Sequence, residues 1–175
     1  MDTAQLSLIR QPFDDPNFLF ELKQDGFRAL AHFWDGKCEL VSRRRNAYKS
    51  FNELRENLAK LKVQNAVIDG EIVCLDDEGR SIFNELLFRR GCPTFYAFDL
   101  LYLNNRDLRQ LPLIERKEKL RTLIEKSALP DVICGKYVEG RGVGFVQRDL
   151  PAEFRRRRSE AKDRHVFDGQ WLAED

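Results

Sequence analysis

Aromatic and small apolar residues run from Phe27 to Trp34, stop at Asp35-Gly36 and resume at Cys38-Glu39-Leu40-Val41, which predicts antiparallel strands joined by a two-residue hairpin. A strand from about Phe18 precedes them, behind a lead-in, Gln11 to Pro16, whose two prolines argue against a regular element. The period then turns helical. Phe51, Leu54, Leu58 and Leu61 fall on one face, and Ser50-Phe51-Asn52-Glu53 has the spacing of a capping box. Two apolar runs, Ala66–Leu75 and Thr94–Leu103, predict buried strands. Between them lie a turn at Asp76–Gly79 and a short helix within Ser81–Arg90, with Phe83, Leu86 and Leu87 inward. Asn104-Asn105 ends the second strand. Pro112 suits a first helical position, and Leu113, Leu120, Leu123 and Ile124 mark an amphipathic helix to about Lys126, with charges on its other face. Val132–Val138 reads as one more short strand, Glu139–Gly144 is glycine-rich, and residues 151–175, with Arg155–Arg158, read as a poorly ordered basic tail. The expected fold class is α+β, with antiparallel sheets flanked by helices in a single body over residues 1–150.

Composition narrows the class without naming a chemistry. A chain of 175 residues with 42% hydrophobic and 34% charged content can bury one ordinary core. No stretch approaches the ~20 apolar residues of a membrane span, and the N-terminus lacks the apolar core of a secretory signal, so a cytoplasmic, membrane-free location is expected. The four cysteines are widely spread with no Cys-x-x-Cys pair, the pattern of reduced thiols rather than a zinc site. With 30 basic and 29 acidic residues the net charge is +1, so any polyanion contact must come from local clusters such as Arg43, Arg44, Arg45 and Lys49.

Chemistry concentrates in Glu21-Leu22-Lys23-Gln24-Asp25-Gly26-Phe27-Arg28. Read from residue types, this is either a charged hairpin corner or a nucleophilic lysine with a shaping loop behind it. The apolar strands carry the acids Glu71 and Asp99, and an unpaired ion there costs several kcal/mol. Each acid therefore either pairs with an arginine structurally or serves a ligand. The alternatives for Phe98 and for Arg44, Arg45 and Lys49 are core packing and a solvated loop.

Taken in order, Glu-x-Lys-x-Asp-Gly-x-Arg at Glu21–Arg28, Ser42-Arg43, Asp-Gly-Glu-Ile-Val at Asp69–Val73 and Phe-Asp-Leu-Leu-Tyr-Leu at Phe98–Leu103 resemble the adenylation domain of ATP-dependent DNA ligases, most closely the bacterial end-joining type. The likeness extends from about Pro12 to Asp149. It implies the nucleotidyltransferase fold shared by DNA ligases and mRNA capping enzymes, an ATP-grasp-like fold, here incomplete at the C-terminus. It implies that Lys23 attacks the α-phosphate of ATP, pyrophosphate leaves, and AMP stays on Lys23 through a P–N bond before passing to a 5′-phosphate. Glu21 would contact adenine, Arg28 and Glu71 would lie near the ribose and Mg2+, and Phe98 would stack on the base, while Arg28 and Arg43 suit phosphate binding, since a guanidinium offers a fork of donors and stays charged. Arg44, Arg45 and Lys49 would touch the phosphates of nicked or broken duplex DNA, with other end-joining proteins as further partners.

The resemblance stops short in two places. A motif like Glu-Gly-Ile-Val-x-Lys does not follow Arg148-Asp149-Leu150, where Pro151-Ala152-Glu153-Phe154 stands instead, and no Lys-x-Lys strand appears. No OB-fold domain is expected at this length. Two outcomes remain open at this level: a lysyl-AMP-forming ligase part, or a truncated, inactive relic, a shifted reading frame or early stop being one origin, that at most binds nucleotide or nucleic acid. Weak or absent adenylation by this chain alone is the corresponding expectation.

Overall fold

The computed structural model describes residues 13–144. Two compact units divide the chain, one over Gln24–Gly135 and one combining Met1–Lys23 with Lys136–Asp175. The basic tail and Arg148–Phe154 lie outside the described residues.

The larger unit is built on a six-stranded sheet. β2 (Phe27–Trp34) alternates, with Ala29, Ala31 and Phe33 buried, as half-covered strands do. It turns through Asp35 and Gly36, both at positive φ, into β3 (Lys37–Ser42), so the Asp-Gly hairpin stands as expected. β4 (Asn65–Val73) and β5 (Thr94–Leu103) are buried nearly throughout and form the centre, in the order β3-β2-β4-β5. β6 (Arg106–Asp107) pairs antiparallel with β5 after a left-handed Asn104-Asn105 turn, and β7 (Val132–Cys134) pairs parallel with β5. Phe51, Leu54, Leu58 and Leu61 all reach the core, as the spacing predicts, though helix α1 (Asn52–Leu58) begins after Phe51 and ends before Leu61. Helix α2 (Phe83–Leu87) is one short turn, and α3 (Leu113–Ser127) lies against β5 and β7.

The smaller unit pairs β1 (Leu19–Glu21) with β8 (Tyr137–Glu139), antiparallel. Its core is aromatic: Phe20 is buried, and the Phe13 ring stands edge-on to Phe20 at 5.2 Å and to Phe18 at 5.1 Å. This explains Gly142 of the 139–144 stretch. A Cβ on Gly142 would stand 2.3 Å from the Phe13 carbonyl oxygen and 2.5 Å from the Phe20 ring, so glycine is there for close packing.

Several expectations fail for local reasons. Ser50 does not cap α1: Phe51 is the cap residue and no side chain satisfies the first turn. Pro112 stands one position earlier than expected, as the N-cap with extended backbone, and α3 starts at Leu113. Val132–Val138 is two strands in two different sheets. Phe83 and Leu87 are exposed where they were expected inward, and Arg116 and Lys117 are buried on the helix whose charges were expected outward. Cys38 and Cys74 are buried and all four cysteines are free. Burial pushes the Cys38 thiol up to about 12, which keeps it an inert core residue.

Asp25-Gly26 is no hairpin corner. Gly26 enters β2 directly, and a Cβ on it would stand 2.1 Å from the backbone oxygen of Ile72 on β4. The motif glycine thus permits close contact of two central strands. Gly26→Ala must push β2 and β4 apart, and we expect a loss of ~3 kcal/mol, the upper part of the overpacking range, read as a lowered urea midpoint.

Candidate functional site

Arg28 organises the site. On β2 it is the register partner of Glu71 on β4. Its guanidinium makes a two-point ion pair with Asp69, Nε to Oδ1 at 2.7 Å and Nη2 to Oδ2 at 2.6 Å, and lies 4.2 Å from the centroid of the Phe98 ring. Arg28, Glu71 and Phe98, taken from three separate sequence motifs, therefore meet on one face of the central sheet. A β-bulge makes this possible. The ladder runs Asp69 to Asp99 and then Gly70 to Ala97, so Phe98 is the extra residue on β5, released from the register and turned onto Arg28.

Asp69 is the residue that the sequence reading passed over. It is 1% exposed, and burial raises its carboxyl above the ordinary range in spite of the opposing pull of Arg28; the charge of Asp99 adds to the rise. Its signal was present in Asp69-Gly70-Glu71, where two acids interrupt an apolar strand. Asp99 has the structural role that the residues alone allowed: it pairs with Arg116 of α3, Nε to Oδ1 at 2.9 Å and Nη2 to Oδ2 at 3.0 Å. The neighbouring Lys117 is buried and donates from Nζ to the Phe98 carbonyl oxygen at 2.6 Å. Helix α3 thus holds both sides of the bulge.

Glu71 is half-buried, and its Cγ lies 2.9 Å from where a Gly26 Cβ would be. Burial first, and then the Glu71 charge, push the Tyr48 phenol up. The Tyr48 hydroxyl donates to the Arg28 carbonyl oxygen at 3.2 Å, which ties the segment after β3 to the site strand.

That segment is a tight basic turn. The Arg45 amide donates to the Ser42 carbonyl at 2.8 Å, Ser42 N–H to the Asn46 carbonyl at 2.9 Å, and Asn46 N–H to Ser42 Oγ at 3.2 Å. Arg43, Arg44, Arg45 and Lys49 all point to solvent, and none forms an ion pair among the described residues. Arg45 sits at φ 60°, where an arginine gains nothing for the fold.

Glu21 and Lys23 belong to the smaller unit. Glu21 is buried at the end of β1 opposite Tyr137, and Lys23, two residues on and outside the strand, is exposed. Among the described residues no group of three or more His, Cys, Asp or Glu gathers into a metal site, and no helix is long and apolar enough to cross a membrane.

Known proteins are similar to this chain in sequence and fold. A family model described as ATP dependent DNA ligase domain covers residues 3–136. The multifunctional non-homologous end joining protein LigD of Pseudomonas aeruginosa is 36% identical over 125 residues, 68% of this chain and 15% of that protein. Its namesake in Mycobacterium bovis is 33% identical over 175 residues, 88% of this chain and 23% of that protein. Among solved structures, the ligase domain of M. tuberculosis LigD superposes with a TM-score of 0.65 at 28% identity, over 74% of this chain and 44% of that one. A mycobacterial DNA ligase D complexed with ATP and MES gives 0.64 at 29% identity, over 79% and 46%. The chain spans less than a quarter of these two curated relatives and under half of either solved chain. With the family model spanning residues 3–136, which hold all four motifs, the chain belongs to the ATP-dependent DNA ligase domain family.

Proposed function

We propose that this chain is the nucleotide-charging part of a DNA-joining enzyme, in which Lys23 accepts AMP from ATP for later transfer to a DNA 5′-phosphate. The observation that carries the reading is the meeting of Arg28, Glu71 and Phe98 on one sheet face. A cation that stays charged, a half-buried carboxylate and an aromatic ring are the three groups that an adenosine phosphate needs. The exposed Lys23 amine supplies the nucleophile, and Glu21 supplies a buried carboxylate two residues away in sequence for the adenine. Phe98 carries Arg28 on one ring face, so a purine stacks on the other face or replaces the guanidinium. Arg43 adds a second phosphate-binding cation.

Mg2+ fits the same reading. This ion commonly binds through one or two carboxylates together with substrate phosphates, so it needs no cage of protein ligands. Glu71 is the carboxylate that would hold it, and the ion would offset charge on the transferring phosphate.

Nicked or broken duplex DNA is the proposed polyanion, held in part by Arg44, Arg45 and Lys49 on the basic turn. Other end-joining proteins are further partners that this reading allows. Arg45 gives a clean test because its left-handed backbone favours glycine. Arg45→Gly should leave the fold as stable or up to ~1 kcal/mol more stable, since glycine relieves the conformation. It should also weaken duplex binding and lower the salt slope by about one. Fluorescence anisotropy with a labelled duplex, measured beside thermal unfolding, checks both; unchanged affinity at raised stability removes Arg45 from the interface. The catalytic reading is tested by locating AMP on the chain after incubation with ATP and Mg2+.

A further inference from the structure

Helix α2 has no task in this reading. Only Leu86 of its apolar residues is buried, while Ile82, Phe83, Leu87 and Phe88 are 38, 38, 48 and 59% exposed. These are four of the six large hydrophobics found exposed among the described residues, gathered within one seven-residue stretch. Exposed apolar surface concentrated in this way marks a contact surface.

The flank of this patch is basic and geometrically fixed. Arg89 N–H donates to the Leu86 carbonyl at 3.3 Å and Arg90 N–H to the Glu85 carbonyl at 2.9 Å, with Arg89 at φ 55°, which is a Schellman ending of α2. Glycine usually fills the position that Arg89 takes. The turn carries two consecutive exposed arginines, and neither forms an ion pair with a carboxylate among the described residues. Arg90 reaches over the Phe88 ring, 5.1 Å from its centroid. Phe83, at the start of α2, faces Phe27 at 5.5 Å, Phe27 faces Tyr48 at 6.2 Å, and Tyr48 is next in sequence to Lys49.

We propose that α2 and its arginine ending form a second nucleic-acid contact of the larger unit, with Arg89 and Arg90 on strand phosphates and Phe88 and Leu87 packed on a sugar or an unstacked base. This rests on the DNA-joining reading above, for which it names a further part of the interface. The chemistry favours a polyanion over a protein partner. Glu85 is the one acid between Ile82 and Arg90 and is half-buried, while unpaired cations and aromatic rings interleave, the combination that tracks a nucleic-acid strand.

Equilibrium binding of the full chain to a labelled nicked duplex across a potassium chloride series tests the proposal, using Arg89→Gly, Arg90→Gln and Phe88→Ser. Arg89→Gly keeps or improves the helix ending, so a loss of binding there is not a loss of fold. We expect each arginine variant to bind several-fold more weakly with a salt slope lowered by about one. Phe88→Ser should bind about tenfold more weakly at unchanged slope. Wild-type affinity in all three variants, or no binding by the wild-type chain, overturns the proposal. So does a Phe88→Ser chain that changes oligomeric state in sedimentation while its affinity stays put, which would assign the patch to a protein partner. If wild-type Lys23 acquires AMP and the three variants bind normally, this inference alone falls. If the variants lose binding and Lys23 acquires no AMP, the catalytic reading falls and this contact stands.

Discussion

Arg28→Met should cost ~3–5 kcal/mol of folding stability, the scale for removing one partner of a buried ion pair. Asp69 is 1% exposed and Arg28 11%, so the loss leaves a carboxylate in the sheet centre with its main counter-charge gone and Asp99 still nearby. The pH dependence has a definite sign. Burial already holds the folded Asp69 carboxyl above its ordinary value of 3.8, with Arg28 pulling it back down. A raised carboxyl means that the folded state holds more protons than the unfolded one, so its contribution is full below the ordinary value and is lost as pH rises through the folded value. Removing Arg28 lifts the carboxyl further and extends that window upward. Urea unfolding at pH 4 and pH 7 should therefore show a smaller deficit for Arg28→Met at the lower pH. Arg28→Met combined with Asp69→Leu should recover much of the loss, because two apolar groups leave no orphaned charge. Equal deficits at both pH values would show that Asp69 is not the group left unpaired.

This ion pair shows how far residue patterns reach. The apolar runs of β4 and β5 and the Asp-Gly hairpin are visible in sequence, because each follows from local period and turn chemistry. The bulge is not. It arises from how β4 and β5 share a register, and it leaves Phe98 unpaired in the ladder and over Arg28, while its neighbour Asp99 pairs with Arg116. Arg116 and Lys117 read as solvent-facing because a helical wheel counts charge as outward. Their burial follows from partners on β5, an acid and a carbonyl, that are far away in sequence. The Val132–Val138 run shows the same limit, since spacing cannot tell that Gly135-Lys136 separates strands of two different sheets. Ser50 had the right spacing for a cap, but the helix begins one residue later than a cap there requires. Glu71 and Phe98 became candidate site residues only through the motifs that contain them, since an acid or a ring in a strand has several ordinary uses.

The second large effect concerns Lys23, and it is all or none. In place of the weak or absent adenylation expected from the sequence alone, the meeting of Arg28, Glu71 and Phe98 on one face leads us to expect AMP uptake on a single lysine, and Lys23→Ala should take up none, because no other group is offered as the nucleophile. The bond formed is P–N, from the Lys23 Nζ to the α-phosphorus, with pyrophosphate leaving and the amine proton passing to solvent. Such a phosphoramidate is hydrolysed in acid and survives alkali, which separates it from a phosphate ester on a hydroxyl. Peptide mass spectrometry after incubation with ATP and Mg2+, carried out at alkaline pH and compared with an acid-treated sample, is the direct measurement. The account predicts AMP on the peptide that contains Lys23, removed by acid and absent in Lys23→Ala. A chain that binds ATP but carries no adduct, or carries it on another residue, would contradict it.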